Sequence, residues 1–205
     1  MTTSSNQKSA SPASRRLTAR FRKAMVYAAC LHAGQTRKRT DRPYIGHLLG
    51  VTALVLENGG DEDEAIAALL HDAVEDQGGM ITLEAIQRKF GDRVAKIVEG
   101  CTDSFTTPKA PWRQRKEDYL AKLRKAPPDV RLVSAADKLN NAREILRDYR
   151  VEGEAVWARF NGGKDGTLWY YRELVRIFRA ADTSPLVDEL SRVVADLEHL
   201  AQSAG

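Results

Sequence analysis

The sequence predicts an all-α fold, a bundle of roughly ten helices, on two observations. Apolar residues recur at helical spacing in segment after segment, and no segment shows the alternation of a half-buried strand. Gly-Gly, Gly-Asp and Pro-Pro pairs punctuate those segments at intervals that suit helices. A length of 205 residues, 42% hydrophobic and 29% charged, fits one globular domain with a proper core, expected over residues 15–202.

Residues 1–14, rich in Ser, Thr and Ala, have no apolar period and are expected to be a disordered tail. Leu17, Phe21, Met25, Ala28, Ala29 and Leu31 set an amphipathic helix over 15–35, with Gly34 as breaker and His32 a C-cap residue. A charged loop, 37–43, leads to a helix over 44–58 that carries His47 and stops at Gly59-Gly60. The next helix, 61–76, opens on four acidic residues, which suit a helix N-terminus. After Gly78-Gly79, Thr82 is expected to cap a short helix to Phe90, and another runs over 93–101. Residues 102–111 read as a surface loop and 112–125 as a helix stopped by Pro127-Pro128. A long helix spans 129–149, and further helices are expected near 154–160, 166–181 and 185–201.

Composition excludes several classes. No apolar stretch approaches membrane-spanning length and none resembles a secretory signal, so the expected location is the cytoplasm and no membrane partner is expected. Cys30 and Cys101 form no metal knuckle or disulfide framework. The net charge of +4 is uneven: residues 1–40 hold nine Lys or Arg and no acid, leaving 23 basic against 28 acidic side chains elsewhere. A mildly acidic body argues against a nucleic-acid-binding face. The Arg- and Ser-rich start is not read as a mitochondrial presequence, because residues 24–38 belong to the predicted fold.

The chemistry centres on residues 69–78, where His71 and Asp72 end a run of uncharged residues. Burying an imidazole and a carboxylate there is costly unless something pairs with them, and a divalent metal pairs with both. The other reading is a helix end surfacing into solvent. His47 and Asp137 also interrupt apolar helical stretches, although a satisfied core histidine and an Asp137–Lys138 ion pair are the ordinary alternatives. Taken together, His47, His71, Asp72 and Asp137 form a two-imidazole, two-carboxylate set that suits Mn²⁺ or Fe²⁺, with Zn²⁺ also open. Glu75 and Asp76, one turn on, are placed to move a proton. His199 has nothing chemical around it.

The order His…His-Asp…Asp resembles the HD phosphohydrolase superfamily. The stretches at 28–38, 43–47, 71–76 and 136–143 resemble, in order and near-family spacing, the hydrolase domain of RelA/SpoT homologues. That resemblance implies an Mn²⁺-dependent ppGpp 3′-pyrophosphohydrolase, small and stand-alone. His47, His71, Asp72 and Asp137 match the metal positions, and Glu75-Asp76 match the acidic pair acting on the attacking water. Arg37 and Lys38 match the basic pair beside base and phosphates, where a guanidinium can stack on a purine. Asn141 matches a residue near the ribose. Arg143, Arg115 for the distal phosphates, Lys138 and Tyr170 near the nucleoside complete the expected substrate contacts.

Leu48 stands where the family often has Pro, Asn140 where a His is common, and Glu144 where some members have Thr. These departures touch substrate choice rather than the metal and water chemistry. They leave adenosine alarmones and the 2′-phosphate of NADPH open as substrates. A role of another class, an antitoxin-like protein that neutralises a partnered alarmone synthetase, also stays open. The sequence does not fix the oligomeric state.

Overall fold

The computed structural model describes residues 16–105, 108 and 110–203. The expected tail at 1–14 lies outside the described residues. Among them are ten α-helices, a 3-10 segment and no strand. A lone antiparallel bridge, Thr36 to Pro43, closes the charged loop.

The helices are α1 (Ala19–Leu31), α2 (Ile45–Glu57), α3 (Glu62–Leu70), α4 (Ala73–Asp76) and α5 (Gly79–Phe90). They continue as α6 (Asp92–Cys101), α7 (Trp112–Arg124) and α8 (Pro128–Glu152). A 3-10 helix (Gly153–Arg159), α9 (Gly163–Ala181) and α10 (Pro185–Ser203) complete the order. The long helix α8 is the axis: α2, α3, α6, α10 and the 3-10 helix all pack on it. The apolar run of α3 explains its central place, since Ala65 through Leu70 are all fully buried. Asp61 and Glu64 form a reciprocal capping box that satisfies orphan amides at the start of α3.

Four expectations need correcting. The first helix is shorter than 15–35: Thr18 caps it by accepting from Arg20 N at 3.1 Å, and Leu17 and Met25 stay exposed. The stretch 61–76 is not one helix but breaks at His71-Asp72. His71 Nδ1 donates to the Ala68 carbonyl at 2.8 Å, the acceptor a continuing helix would give to the Asp72 amide. Thr82 lies inside α5 rather than capping it, and its hydroxyl donates to the Gln77 carbonyl at 2.8 Å. The segment near 154–160 is a 3-10 helix, entered through Gly153 at φ +59°.

The α6–α8 contact depends on a missing side chain. A Cβ at Gly100 would lie 2.5 Å from Val130 Cγ2, with helix backbone on both sides to resist adjustment. Overpacking of this kind typically costs about 1–3 kcal/mol. Gly100→Ala is therefore expected to lower the unfolding free energy by about that much, read as a lower urea midpoint with an unchanged slope; an unchanged midpoint would contradict so close a packing.

Candidate active site

Three helices deliver ligand-type side chains to one point. α2 brings His47, the end of α3 brings His71, the following turn brings Asp72, and α8 brings Asp137. His47 Nε2 and His71 Nε2 lie 3.3 Å apart. Asp137 Oδ1 is 3.3 Å from the first and 3.5 Å from the second. Asp72 Oδ2 is 3.0 Å from His71 Nε2 and 3.5 Å from His47 Nε2. One ligand atom each from His47, His71 and Asp137 falls within a 4.8 Å group, and Asp72 flanks it.

The other ring nitrogens decide what this cluster is for. His47 Nδ1 lies 2.8 Å from Asn140 Oδ1, and His71 Nδ1 lies 2.8 Å from the Ala68 carbonyl. Both partners accept, so each Nδ1 carries a proton and each Nε2 is turned toward the other ring and the two carboxylates. Two buried carboxylates facing these nitrogens call for positive charge at this point. Burial alone would lower both imidazole pKa values, yet the facing carboxylates outweigh it and raise them, His71 well above the ordinary value. Burial opposes the charge on Asp72 and Asp137 as well; His71 and Lys138 respectively hold them well below the carboxylate range. Ligands about 2.1 Å from a shared ion lie about 3.0–3.4 Å apart, which is the spacing found here. The residues fit a divalent metal.

A cleft of about 580 Å³ opens above the cluster. Its floor touches the ligands directly: Tyr44 Oη donates to Asp72 Oδ2, Asn141 Nδ2 to Asp137 Oδ1 and Lys138 Nζ to Asp137 Oδ2, each at 2.5 Å. Glu75 and Asp76 also line it. Of the expected substrate contacts, Arg37, Lys38, Arg115, Lys138, Asn141 and Tyr170 line the cleft. The Tyr170 hydroxyl is buried with no hydrogen-bond partner among the described residues.

Arg143 does not reach the cleft. It sits on the exposed side of α8 and pairs with Glu189 of α10. Helical geometry explains this: Asp137, Asn141, Glu144 and Asp148 follow at steps of four, three and four on one face, and Arg143 falls between them.

Sequence reasoning also passed over several groups. Lys116 lines the cleft beside Arg115, and both donate to Asp103, Arg115 Nη1 at 2.8 Å and Lys116 Nζ at 2.6 Å. Burial and the nearby Lys138 ammonium push the Lys116 pKa down. Arg37 is tied to Glu144 and Asn141, and Glu144 and Asp148 together hold Arg42. The acidic spacing along α8 was the available signal for this network; its arginine partners lie about a hundred residues away in sequence.

An all-α bundle that gathers two imidazoles and two carboxylates beside a cleft lined by both cations and carboxylates defines a candidate metal-dependent enzyme site. The sequence model of the HD domain matches residues 24–168, and the chain belongs to that family. It is similar to guanosine-3′,5′-bis(diphosphate) 3′-pyrophosphohydrolase MESH1 of Mus musculus, 35% identical over 150 residues, 68% of this chain and 81% of the relative. The protein of the same name from Xenopus tropicalis is 39% identical over 142 residues, 64% of this chain and 76% of the relative. A solved structure described as a metazoan orthologue of SpoT that hydrolyses ppGpp superposes with a TM-score of 0.74 at 27% identity, covering 89% of this chain and 97% of that one. The resemblance read from the sequence is to this same group.

Polar groups that orient metal-binding imidazoles typically contribute 10- to 100-fold in affinity. Asn140→Leu is expected to weaken metal binding by about that factor in a chelator competition. Unchanged affinity would remove Asn140 from the site.

Proposed function

We propose that the protein is a metal-dependent phosphohydrolase that removes the 3′-pyrophosphate of ppGpp or pppGpp, giving GDP or GTP and pyrophosphate, in the cytoplasm. One observation carries the reading: the His47, His71 and Asp137 group, with Asp72 beside it, adjoins a cleft that presents both cations and a carboxylate pair. The pyrophosphohydrolase names of the relatives support the substrate. Mn²⁺ is the proposed ion, on the mixed nitrogen and oxygen donor set, with Fe²⁺ or Zn²⁺ as substitutes. When bound by His47, His71, Asp72 and Asp137, it supplies Lewis acidity to phosphate oxygens and acidifies water.

The chain's own residues do the rest. Lys116, Lys138 and Arg115 hold the 3′-phosphates: all three line the cleft, and Lys138 bonds the Asp137 carboxylate. Arg37 has its Nε and one Nη committed to Glu144 and Asn141, so it offers a flat face, next to the Tyr44 ring at 5.4 Å, to the base. Lys38 and Tyr170 contact the remainder of the nucleotide. The water oxygen bonds to the phosphorus next to the 3′-oxygen, and that phosphorus–oxygen bond breaks. Glu75 or Asp76 takes the water's proton, and the departing 3′-oxygen picks up a proton as GDP or GTP leaves.

Metal-stripped protein incubated with ppGpp and separated by anion exchange is expected to release GDP and pyrophosphate only when Mn²⁺ is added. A parallel panel of adenosine alarmones and NADPH tests the base and the scissile phosphate; faster turnover of either would replace the proposed substrate. Asp72→Ala is expected to lose metal and turnover together. Glu75→Gln is expected to keep metal and lose roughly 100-fold or more in rate; an unchanged rate would remove Glu75 from the chemistry.

A further inference from the structure

His32 is a buried imidazole, 3% exposed, that the chemistry above does not use. It follows α1 and lies 2.7 Å, through Nδ1, from Gln35 Oε1. An amide oxygen only accepts, so Nδ1 carries the proton. Gln35 Oε1 accepts a second hydrogen bond, from Gln77 Nε2 at 2.5 Å. Two donors on that oxygen fix which way the amide faces. Its Nε2 is thereby aimed outward and donates to Asp76 Oδ2 at 2.8 Å.

Asp76 ends a four-residue helix that follows a break in the chain. One turn of helix has little rigidity of its own, so its carboxylates need outside support. The Gln35 bond contributes to it by engaging Asp76 Oδ2. The same His32 ring stacks on Tyr44, with centroids 5.2 Å apart and planes 15° from parallel. The Tyr44 hydroxyl in turn donates to Asp72. One buried side chain therefore bears on Asp76, through Gln35, and on Asp72, through Tyr44.

We propose that Gln35, anchored by His32 and Gln77, is a positioning residue that holds Asp76 in line with the attacking water. The inference rests on the reading that Asp76 takes part in ppGpp hydrolysis. Orientation losses of this kind reach about 100-fold in rate. In the Mn²⁺-loaded enzyme, Gln35→Met is expected to lower kcat on ppGpp by about 10- to 100-fold. KM is expected to stay within about two-fold and Mn²⁺ content to be unchanged, the pattern of an interaction made in the transition state. His32→Phe, which keeps a ring against Tyr44, is expected to lower kcat in the same direction.

Placed in an Asp76→Asn background, Gln35→Met is expected to cost less than about two-fold more, because residues acting as a unit are not additive. A single-variant kcat within about two-fold of the parent, or full multiplicative losses in the double variant, would overturn the tether. If the parent does not turn over ppGpp, the substrate reading fails separately. The ¹H–¹⁵N signal of the Gln35 side-chain amide then decides: a shift on Asp76→Ala supports the tether and no shift overturns it.

Discussion

Two imidazole nitrogens, 3.3 Å apart in the protein interior, face each other beside two carboxylates. Asn140 and the Ala68 carbonyl impose that arrangement by taking the protons on the far side of each ring. Removing ions from water costs several kcal/mol each, so two buried carboxylates need positive charge beside them, which a cation bound by the whole set would supply. The surrounding architecture follows from that need. α2, α3 and α8 must meet at one point, and α2 must leave room for Asn140. Gly50 provides it, since a Cβ there would lie 2.5 Å from Asn140 Nδ2. The break between α3 and α4 belongs to the same arrangement, because the bond that sets the His71 tautomer also interrupts the helix.

Beside the cluster, the charges of the cleft are paired. Glu144 and Asp148 neutralise Arg37, Arg42 and Arg159. Lys116 and Lys138 also line the cleft; burial and the Lys138 ammonium lower the Lys116 pKa, whereas Asp137 keeps Lys138 charged. For the nucleotide proposed above, the tied guanidinium of Arg37 suits a base better than a phosphate, and the Lys116 and Lys138 ammonium groups suit phosphate.

Most of the fold was legible because its signals are local. Apolar period, the Gly59-Gly60 stop and Pro128 at the first turn of α8 mark elements without knowledge of the tertiary structure. The break at His71 was not legible, since it depends on a side chain capturing a backbone carbonyl inside an otherwise helical run. Arg143 was misplaced for a different reason: family-like spacing singled it out, whereas helical phase sends it to Glu189. His32 was read as a helix end, which it is, but its bond to Gln35 and the reach to Asp76 exist only once α1 and α4 are packed. The Arg37–Glu144–Arg42–Asp148 chain was invisible because each acid looks like ordinary α8 surface until the loop at 37–42 folds over it.

The central claim is that one cation, held by His47, His71, Asp72 and Asp137, makes this cleft a pyrophosphohydrolase. The most direct measurement is a titration of metal-stripped protein with Mn²⁺, following bound metal and pyrophosphate release from ppGpp in the same samples. The account requires both to saturate together at one ion per chain. Pyrophosphate release before any metal binds, or a fully loaded site that releases none, would contradict it.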